Sequence, residues 1–371
     1  MNKDSRIAHL LAKRRNEGAL RGLKTTGEDL IDFSSNDYLG LARSGQLKTN
    51  INDSYQANSF KNGSTGSRLL TGNNALTENC ESYLAQFFGF ENTTVFNSGY
   101  MANLAFFSSV PQRNDTVIYD EFAHACIKDG CRLSHAKRLS FKHNDLIDLE
   151  KKLKESTGAI YIACESVYSM DGDIAPIDRI IKLAKRYEAK VVVDEAHSTG
   201  VFGPNGAGFL VQKNLQKEVF AVIYTFGKGM GIHGACIAGS TMLKAYLINF
   251  SRPFIYTTAP SAFEVISILE AFKFLKSNNN LIEKLHENIS YFNHVLPKFS
   301  TPSPIKSVII GGNKKTREVA SLLQQNNLDI RPILSPTVQA GSERLRICLH
   351  TFNTKEEIDL LCKYLNTGIA G

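Results

Sequence analysis

No C-x-x-C pair, no internal repeat, no low-complexity tract and no apolar run of membrane-spanning length occurs in these 371 residues. Each absence removes a class of protein. The seven cysteines (Cys80, Cys126, Cys131, Cys164, Cys236, Cys348 and Cys362) are scattered and odd in number, which excludes a disulfide framework and a zinc ribbon and predicts reduced, mostly buried thiols. Residues 1–20 mix charges with Ile7, Leu10, Leu11 and Ala12 at helical spacing, unlike a signal peptide. With no membrane span either, the expected location is cytoplasmic. Lys and Arg are distributed along the chain, so the net charge of +7 describes a basic, soluble surface suited to an anionic substrate rather than a nucleic-acid face. His124, His135 and His143 lack the i, i+4 spacing of a helical metal site, and no metal is expected.

What is present is an alternation of strand and helix patterns long enough for one large α/β domain and a smaller one. Short apolar runs at 93–97, 116–119, 159–164, 190–193 and 219–224 predict strands of a largely parallel sheet. Leu76, Cys80, Tyr83, Leu84, Phe87 and Phe88, and then Ile177, Ile180, Ile181 and Ala184, recur at helical spacing and belong to the core. The pattern changes near a long helix at 262–276. Beyond it come an apolar run at 308–310, a helix from Arg317, an alternating segment at 344–350 and a Thr354-x-x-Glu357 capping box. The expected division is an N-terminal helix and extended segment at 1–44, a large domain at 45–268 and a small C-terminal α/β domain at 269–371.

Lys228 stands just past an apolar run, between Gly227 and Gly229, with Thr225 before it. Partial desolvation at a strand exit lowers an amine's pKa, and flanking glycines admit a flat ligand, which suits a Schiff base. Asp194 ends a second buried run, where a carboxylate can hold a pyridinium nitrogen protonated. Either residue alone would read as a solvated loop lysine or a strand-end cap; together they point to pyridoxal 5′-phosphate (PLP). Ser98-Gly99-Tyr100 follows a strand and opens a helix pattern, so its backbone N–H groups suit the phosphate, with Ser98 and Thr225 as hydroxyl donors. His124 is placed to act as an aromatic plate against the ring. A rival reading exists. Gly229-x-Gly231-x-x-Gly234 matches the dinucleotide-binding fingerprint, but that motif needs a helix after it and an acidic residue about 20 positions on. Residues 235–239 read as extended and no Asp or Glu occurs between Gly234 and Glu264, so the match is accidental.

These residues, with the runs Phe33-Ser34-Ser35-Asn36-Asp37-Tyr38-Leu39-Gly40, Gly63-Ser64-Thr65-Gly66-Ser67-Arg68, Ser169-Met170-Asp171-Gly172-Asp173 and Arg344-Leu345-Arg346, resemble the α-oxoamine synthase family of fold-type I PLP-dependent acyltransferases over nearly the whole chain. Within it the chain is most similar to the biotin-pathway branch. The resemblance implies a large domain built on a mostly parallel sheet plus a smaller α/β domain. It implies that Lys228 binds the cofactor and moves the substrate's α-proton, that Asp194 pairs with the ring nitrogen, and that His197 and Ser169 lie at the phenolic oxygen. His124 would stack on the ring, and Gly99, Tyr100 and Thr225 would hold the phosphate. The active site would be shared in a homodimer, with Thr258 or Thr257 reaching the partner's phosphate. Arg346, with Asn36 nearby, would grip the amino-acid carboxylate, and Arg21 the distal carboxylate of a pimeloyl chain. The implied reaction condenses L-alanine with a pimeloyl thioester of coenzyme A or acyl carrier protein and releases CO2. Gly66 to Leu70 also resembles serine palmitoyltransferases, and Thr65 replaces a glycine common in the biotin branch. A related acyltransferase using serine or glycine, such as glycine C-acetyltransferase, is therefore the alternative.

Overall fold

A computed structural model describes residues 4–23, 30–57 and 59–368. In chain order the strands are β1 (Ile31–Asp32), β2 (Asn92–Phe96), β3 (Thr116–Asp120), β4 (Lys137–Phe141), β5 (Ile160–Glu165), β6 (Lys190–Asp194), β7 (Ala221–Thr225), β8 (Ala235–Gly239), β9 (Ile305–Ile309), β10 (Leu328–Asp329), β11 (Arg331–Ile333) and β12 (Arg344–Cys348). The chain divides into two units. One comprises residues 37–169 and 173–284; the smaller comprises 1–36, 170–172 and 285–371.

The larger unit holds a seven-stranded sheet in the order β2-β8-β7-β6-β5-β3-β4. The pairs β3–β4, β3–β5, β5–β6 and β6–β7 are parallel, whereas β8 runs antiparallel to both β2 and β7. The central strands read as continuous apolar runs because helices cover both faces of such a sheet. β6 and β7 are buried almost throughout. β4 escaped the sequence reading for a physical reason: it is an edge strand whose Lys137, Arg138 and Ser140 face solvent, so it has no apolar run. The residues after Gly234 enter strand β8 rather than a helix, which removes the context a dinucleotide fingerprint requires.

Local signals set the helices around this sheet. Asn74 caps helix Ala75–Phe88 by accepting from the Thr77 N–H at 2.9 Å, and Gly89 ends it at φ 74°, in the left-handed region that favours glycine. Ile177, Ile180, Ile181 and Ala184 form the buried stripe of helix Ile177–Arg186. Glu81 is 1% exposed and is matched there by Arg68 in a two-pronged ion pair at 2.7 and 3.3 Å, by Lys244 at 2.9 Å and by the Val95 N–H at 2.9 Å. Arg68, singled out in sequence, thus compensates a buried carboxylate that would otherwise be costly.

The smaller unit contains the antiparallel sheet β11-β12-β9 and the parallel pair β1–β10. Here the division departs from the expected boundaries. Residues 30–36 join the smaller unit because β1 pairs with β10 and the Cys348 N–H donates to the Phe33 carbonyl at 2.8 Å. Helix Ala262–Ser277 stays with the larger unit, where Phe272 packs edge-on against Phe88 and Phe226. The Thr354 capping box forms as read: the Glu357 N–H donates to Thr354 Oγ1 at 3.2 Å and the Thr354 N–H to Glu357 Oε2 at 2.9 Å.

Candidate active site

Parallel strands of one sheet deliver their last residues to one edge, the usual place for ligands in α/β folds. In the larger unit that edge receives Asp120, Glu165, Asp194 and Thr225 from β3, β5, β6 and β7. Lys228 follows Thr225 in a tight loop closed by Phe226 N–H to Gly234 O at 3.0 Å and Gly231 N–H to Lys228 O at 2.9 Å. A Cβ on Gly229 would lie 2.5 Å from the Thr199 carbonyl oxygen, so the loop accepts only glycine there. Lys228 Nζ lies 2.8 Å from His197 Nε2, and the other ring nitrogen of His197 lies 2.7 Å from the Tyr38 hydroxyl. Tyr38 and His197 are buried, so the lysine, imidazole and phenol form one hydrogen-bonded chain.

Asp194 is also buried, and each of its oxygens has a donor: the Ala196 N–H at 2.8 Å on Oδ1 and the Asn103 amide at 2.7 Å on Oδ2. Glu165 stands nearby and accepts the His124 N–H at 2.7 Å; burial and then the Asp194 charge push its carboxyl well above the usual range. His124 caps helix Ala125–Leu133 through Nδ1, which accepts from the Cys126 N–H at 3.3 Å and lies 2.9 Å from the Cys126 thiol. Burial lowers the His124 pKa, and burial raises that of Cys126, which keeps the imidazole neutral and the thiol protonated.

Asp194, His124, Lys228 and Thr225 line one cavity of about 230 Å³, with Gly99 and Tyr100 at its other side. Ser98 is the N-cap of helix Gly99–Ser109, its hydroxyl accepting the Met101 N–H at 3.3 Å. The Tyr100 hydroxyl is turned to Asp129 at 2.6 Å, leaving its backbone at the cavity. Ser169 lies outside the lining, in the turn between the bridged residues Val167 and Ile174, and the Thr258 carbonyl accepts the Asn97 amide at 3.2 Å.

The smaller unit carries the remaining candidates. Arg346 donates to Asn36 Oδ1 at 2.8 Å and to the Cys348 sulfur at 3.0 Å. Arg21 donates to Thr337 Oγ1 at 2.8 Å on a cavity of about 1010 Å³ that Arg317 also lines. Sequence reasoning passed over Tyr38, Asn103, Glu165 and Cys126 as site residues. Only Tyr38 had a signal, its place in the Phe33 to Gly40 run.

The sequence profile of the aminotransferase class I and II family matches residues 28–365. The chain belongs to that family. An 8-amino-7-oxononanoate synthase from Lysinibacillus sphaericus is 37% identical, covering 90% of this chain and 87% of its own. Among solved structures, serine palmitoyltransferase from S. paucimobilis with a bound PLP–myriocin aldimine superposes with a TM-score of 0.88 at 26% identity, over 99% of this chain and 97% of that one. An 8-amino-7-oxononanoate synthase from Francisella tularensis superposes with a TM-score of 0.80 at 29% identity, over 93% and 99%.

The family is PLP-dependent, and the residues here fit that cofactor. The Thr225 hydroxyl is buried with no partner among the described residues at the N-terminus of helix Gly99–Ser109, the setting of an anion site. A Cβ on Gly99 would fall 2.3 Å from Thr225 Cγ2, so the cradle exists only because residue 99 is glycine. Asp194, held by two donors, presents a carboxylate to the same cavity.

Proposed function

We propose that this protein is a PLP-dependent acyltransferase that condenses L-alanine with a pimeloyl thioester to give 8-amino-7-oxononanoate, CO2 and the free thiol. The observation that carries this reading is the Lys228–His197–Tyr38 chain beside Asp194 in a chain 37% identical to an 8-amino-7-oxononanoate synthase. Lys228 would hold PLP covalently, Asp194 its ring nitrogen, His124 its face, His197 and Ser169 its phenolic oxygen, and Gly99, Tyr100 and Thr225 its phosphate. When bound, the cofactor supplies the electron sink that lets the amino acid's α-carbon lose first a proton and later a carboxylate.

The chain's own groups then divide the work. Lys228 Nζ, once released, is the base that takes the α-proton and the acid that returns one after decarboxylation. His197 stands 2.8 Å from that amine and can share its proton, with Tyr38 fixing the ring from behind. Asp194 is fixed in place by two donors, and its carboxylate would face the ring nitrogen of the electron sink. Arg346 with Asn36 is assigned to the amino-acid carboxylate, whose two oxygens match a guanidinium fork. Arg21 is assigned to the distal carboxylate of the acyl chain. It donates to the neutral Thr337 hydroxyl, and no ion pair to it is found among the described residues, so its charge is available for an acid. The homodimer, the role of Thr258 toward a partner's phosphate and a cytoplasmic location belong to the same proposal. No helix among the described residues is long and apolar enough to cross a membrane.

Serine palmitoyltransferases share the fold, which makes serine with palmitoyl thioester the competing pair. The deciding assay incubates the PLP-loaded protein with alanine, serine or glycine and with pimeloyl or palmitoyl thioester, on coenzyme A and on acyl carrier protein, and identifies the ketone by mass. Alanine with pimeloyl thioester is expected to give the fastest turnover. Preference for serine with palmitoyl thioester overturns the biotin-pathway reading and leaves the acyltransferase reading intact.

A further inference from the structure

Outside the cavity, His143 joins two buried or half-buried carboxylates that the proposed chemistry leaves unused. It follows edge strand β4, and both of its ring nitrogens face carboxylates: Nδ1 is 2.9 Å from Asp120 Oδ1 and Nε2 is 2.8 Å from Asp173 Oδ2. A neutral imidazole has one N–H, so only the doubly protonated ring donates to both carboxylates when both are ionised, and the Asn144 amide also stands 3.2 Å from Nε2. Burial opposes that charge, but the hydrogen bonds to Asp120 and Asp173 outweigh it and raise the pKa to about 10. Asn144, at φ 55°, repeats the bridge: its N–H donates to Asp120 Oδ2 at 3.0 Å and its side-chain amide to Asp173 Oδ2 at 2.8 Å. Glu121 approaches only the backbone, accepting the His143 N–H at 3.0 Å.

The two carboxylates belong to segments with assigned work. Asp120 ends β3 and accepts the Phe122 N–H at 2.8 Å, which shapes the turn that leads directly to His124. Phe122 stacks on the His143 ring at 4.5 Å. On the other side, the Tyr168 N–H donates to the Asp173 carbonyl at 3.0 Å, closing the hairpin that carries Ser169, and the Tyr168 ring meets His143 edge-on at 4.4 Å. Without a cation between them, Asp120 and Asp173 would repel across this junction.

We propose that His143 is a positioning residue: it fastens the turn that delivers His124 to the hairpin that carries Ser169, and so fixes the two side chains assigned to the PLP ring relative to each other. This rests on the reading that His124 and Ser169 face the cofactor. The test uses His143→Gln, Asp173→Asn and the double variant as purified, PLP-loaded proteins. ¹⁵N NMR of the cofactor-free protein should show both His143 ring nitrogens protonated at pH 8. His143→Gln should weaken PLP binding about tenfold and reduce the visible circular dichroism of the bound cofactor, with little change in unfolding midpoint. Because Asp173→Asn removes the charge that needs the cation, the double variant should bind PLP no worse than His143→Gln alone. Strictly additive losses, a singly protonated ring, or unchanged binding and dichroism in His143→Gln each overturn the proposal. His124→Ala and Ser169→Ala separate the two levels. If both leave the cofactor spectrum unchanged, the underlying reading fails; if they alter it and His143→Gln does not, this inference fails alone.

Discussion

Lys228→Ala should abolish turnover and remove the borohydride-reducible link to PLP, because no other lysine among the described residues stands in a glycine-bounded strand exit beside a buried imidazole. Peptide mapping after reduction checks it; a pyridoxyl group on another lysine defeats the assignment. Asp194→Asn should keep the fold and retain PLP yet lower kcat by about 10²-fold or more, since an amide keeps the hydrogen-bonding shape but loses the charge that stabilises the pyridinium. Near-normal kcat at full occupancy would reduce Asp194 to a strand-end anchor. Arg21→Ala should cost about tenfold or more in kcat/KM for pimeloyl thioester and little for an uncharged acyl thioester of equal length, because only the former loses a charge-assisted hydrogen bond. Equal losses would mean that Arg21 serves the cavity wall and not the acid.

Helix Gly99–Ser109 and strand β7 meet where the Gly99 Cα faces Thr225, and that approach makes the proposed phosphate cradle a property of two elements together. Gly99→Ala would put a methyl group 2.3 Å from Thr225 Cγ2. The helix or the strand end must then shift, at about 1–3 kcal/mol. The expected outcome is PLP binding weakened about tenfold or more, measured by equilibrium titration of the cofactor-free protein, with the far-UV circular dichroism unchanged. Binding at the parental affinity would show that the phosphate sits elsewhere. The seam of the sheet repeats the lesson. β8 lies between β2 and β7 antiparallel to both, and this is why the glycine-rich loop after Lys228 returns the chain into the sheet instead of opening a nucleotide-binding helix.

The two units carry opposed pH dependences. In the larger, His143 is raised from 6.5 to about 10, so its stabilisation is complete below pH 6.5 and is lost as pH rises through 10. In the smaller, Lys306 is fully buried on β9, donates to Asn293 Oδ1 at 2.7 Å and the Thr301 carbonyl at 2.8 Å, and is lowered by burial from 10.5 to about 7. Burying that ammonium costs most below pH 7, and the cost disappears as pH rises toward 10.5, so stability gains in the same window. Urea unfolding between pH 6.5 and 10.5 should therefore change slope in opposite senses in His143→Gln and Lys306→Met. The first should lose the alkaline decline and the second the alkaline gain; parallel slopes in both would contradict the assignment.

The apolar runs of β5, β6 and β7 and the glycines around Lys228 made the parallel core and the placing of Lys228, Asp194 and Thr225 at strand ends legible, because each depends on a local pattern: a buried strand, its end and a backbone too close for a side chain. The partners of those residues were not legible. Tyr38 reaches His197 over 159 positions and Asn103 reaches Asp194 over 91, and no periodicity records a contact at such separation. The edge strand β4, the reversal of β8 and the joining of residues 30–36 to β10 likewise depend on neighbours supplied by distant chain. Local sequence settled which groups the chemistry has to work with. Packing settled which proton, charge or ring each one faces, since a hydrogen bond between distant residues exists only once the elements carrying them are in place.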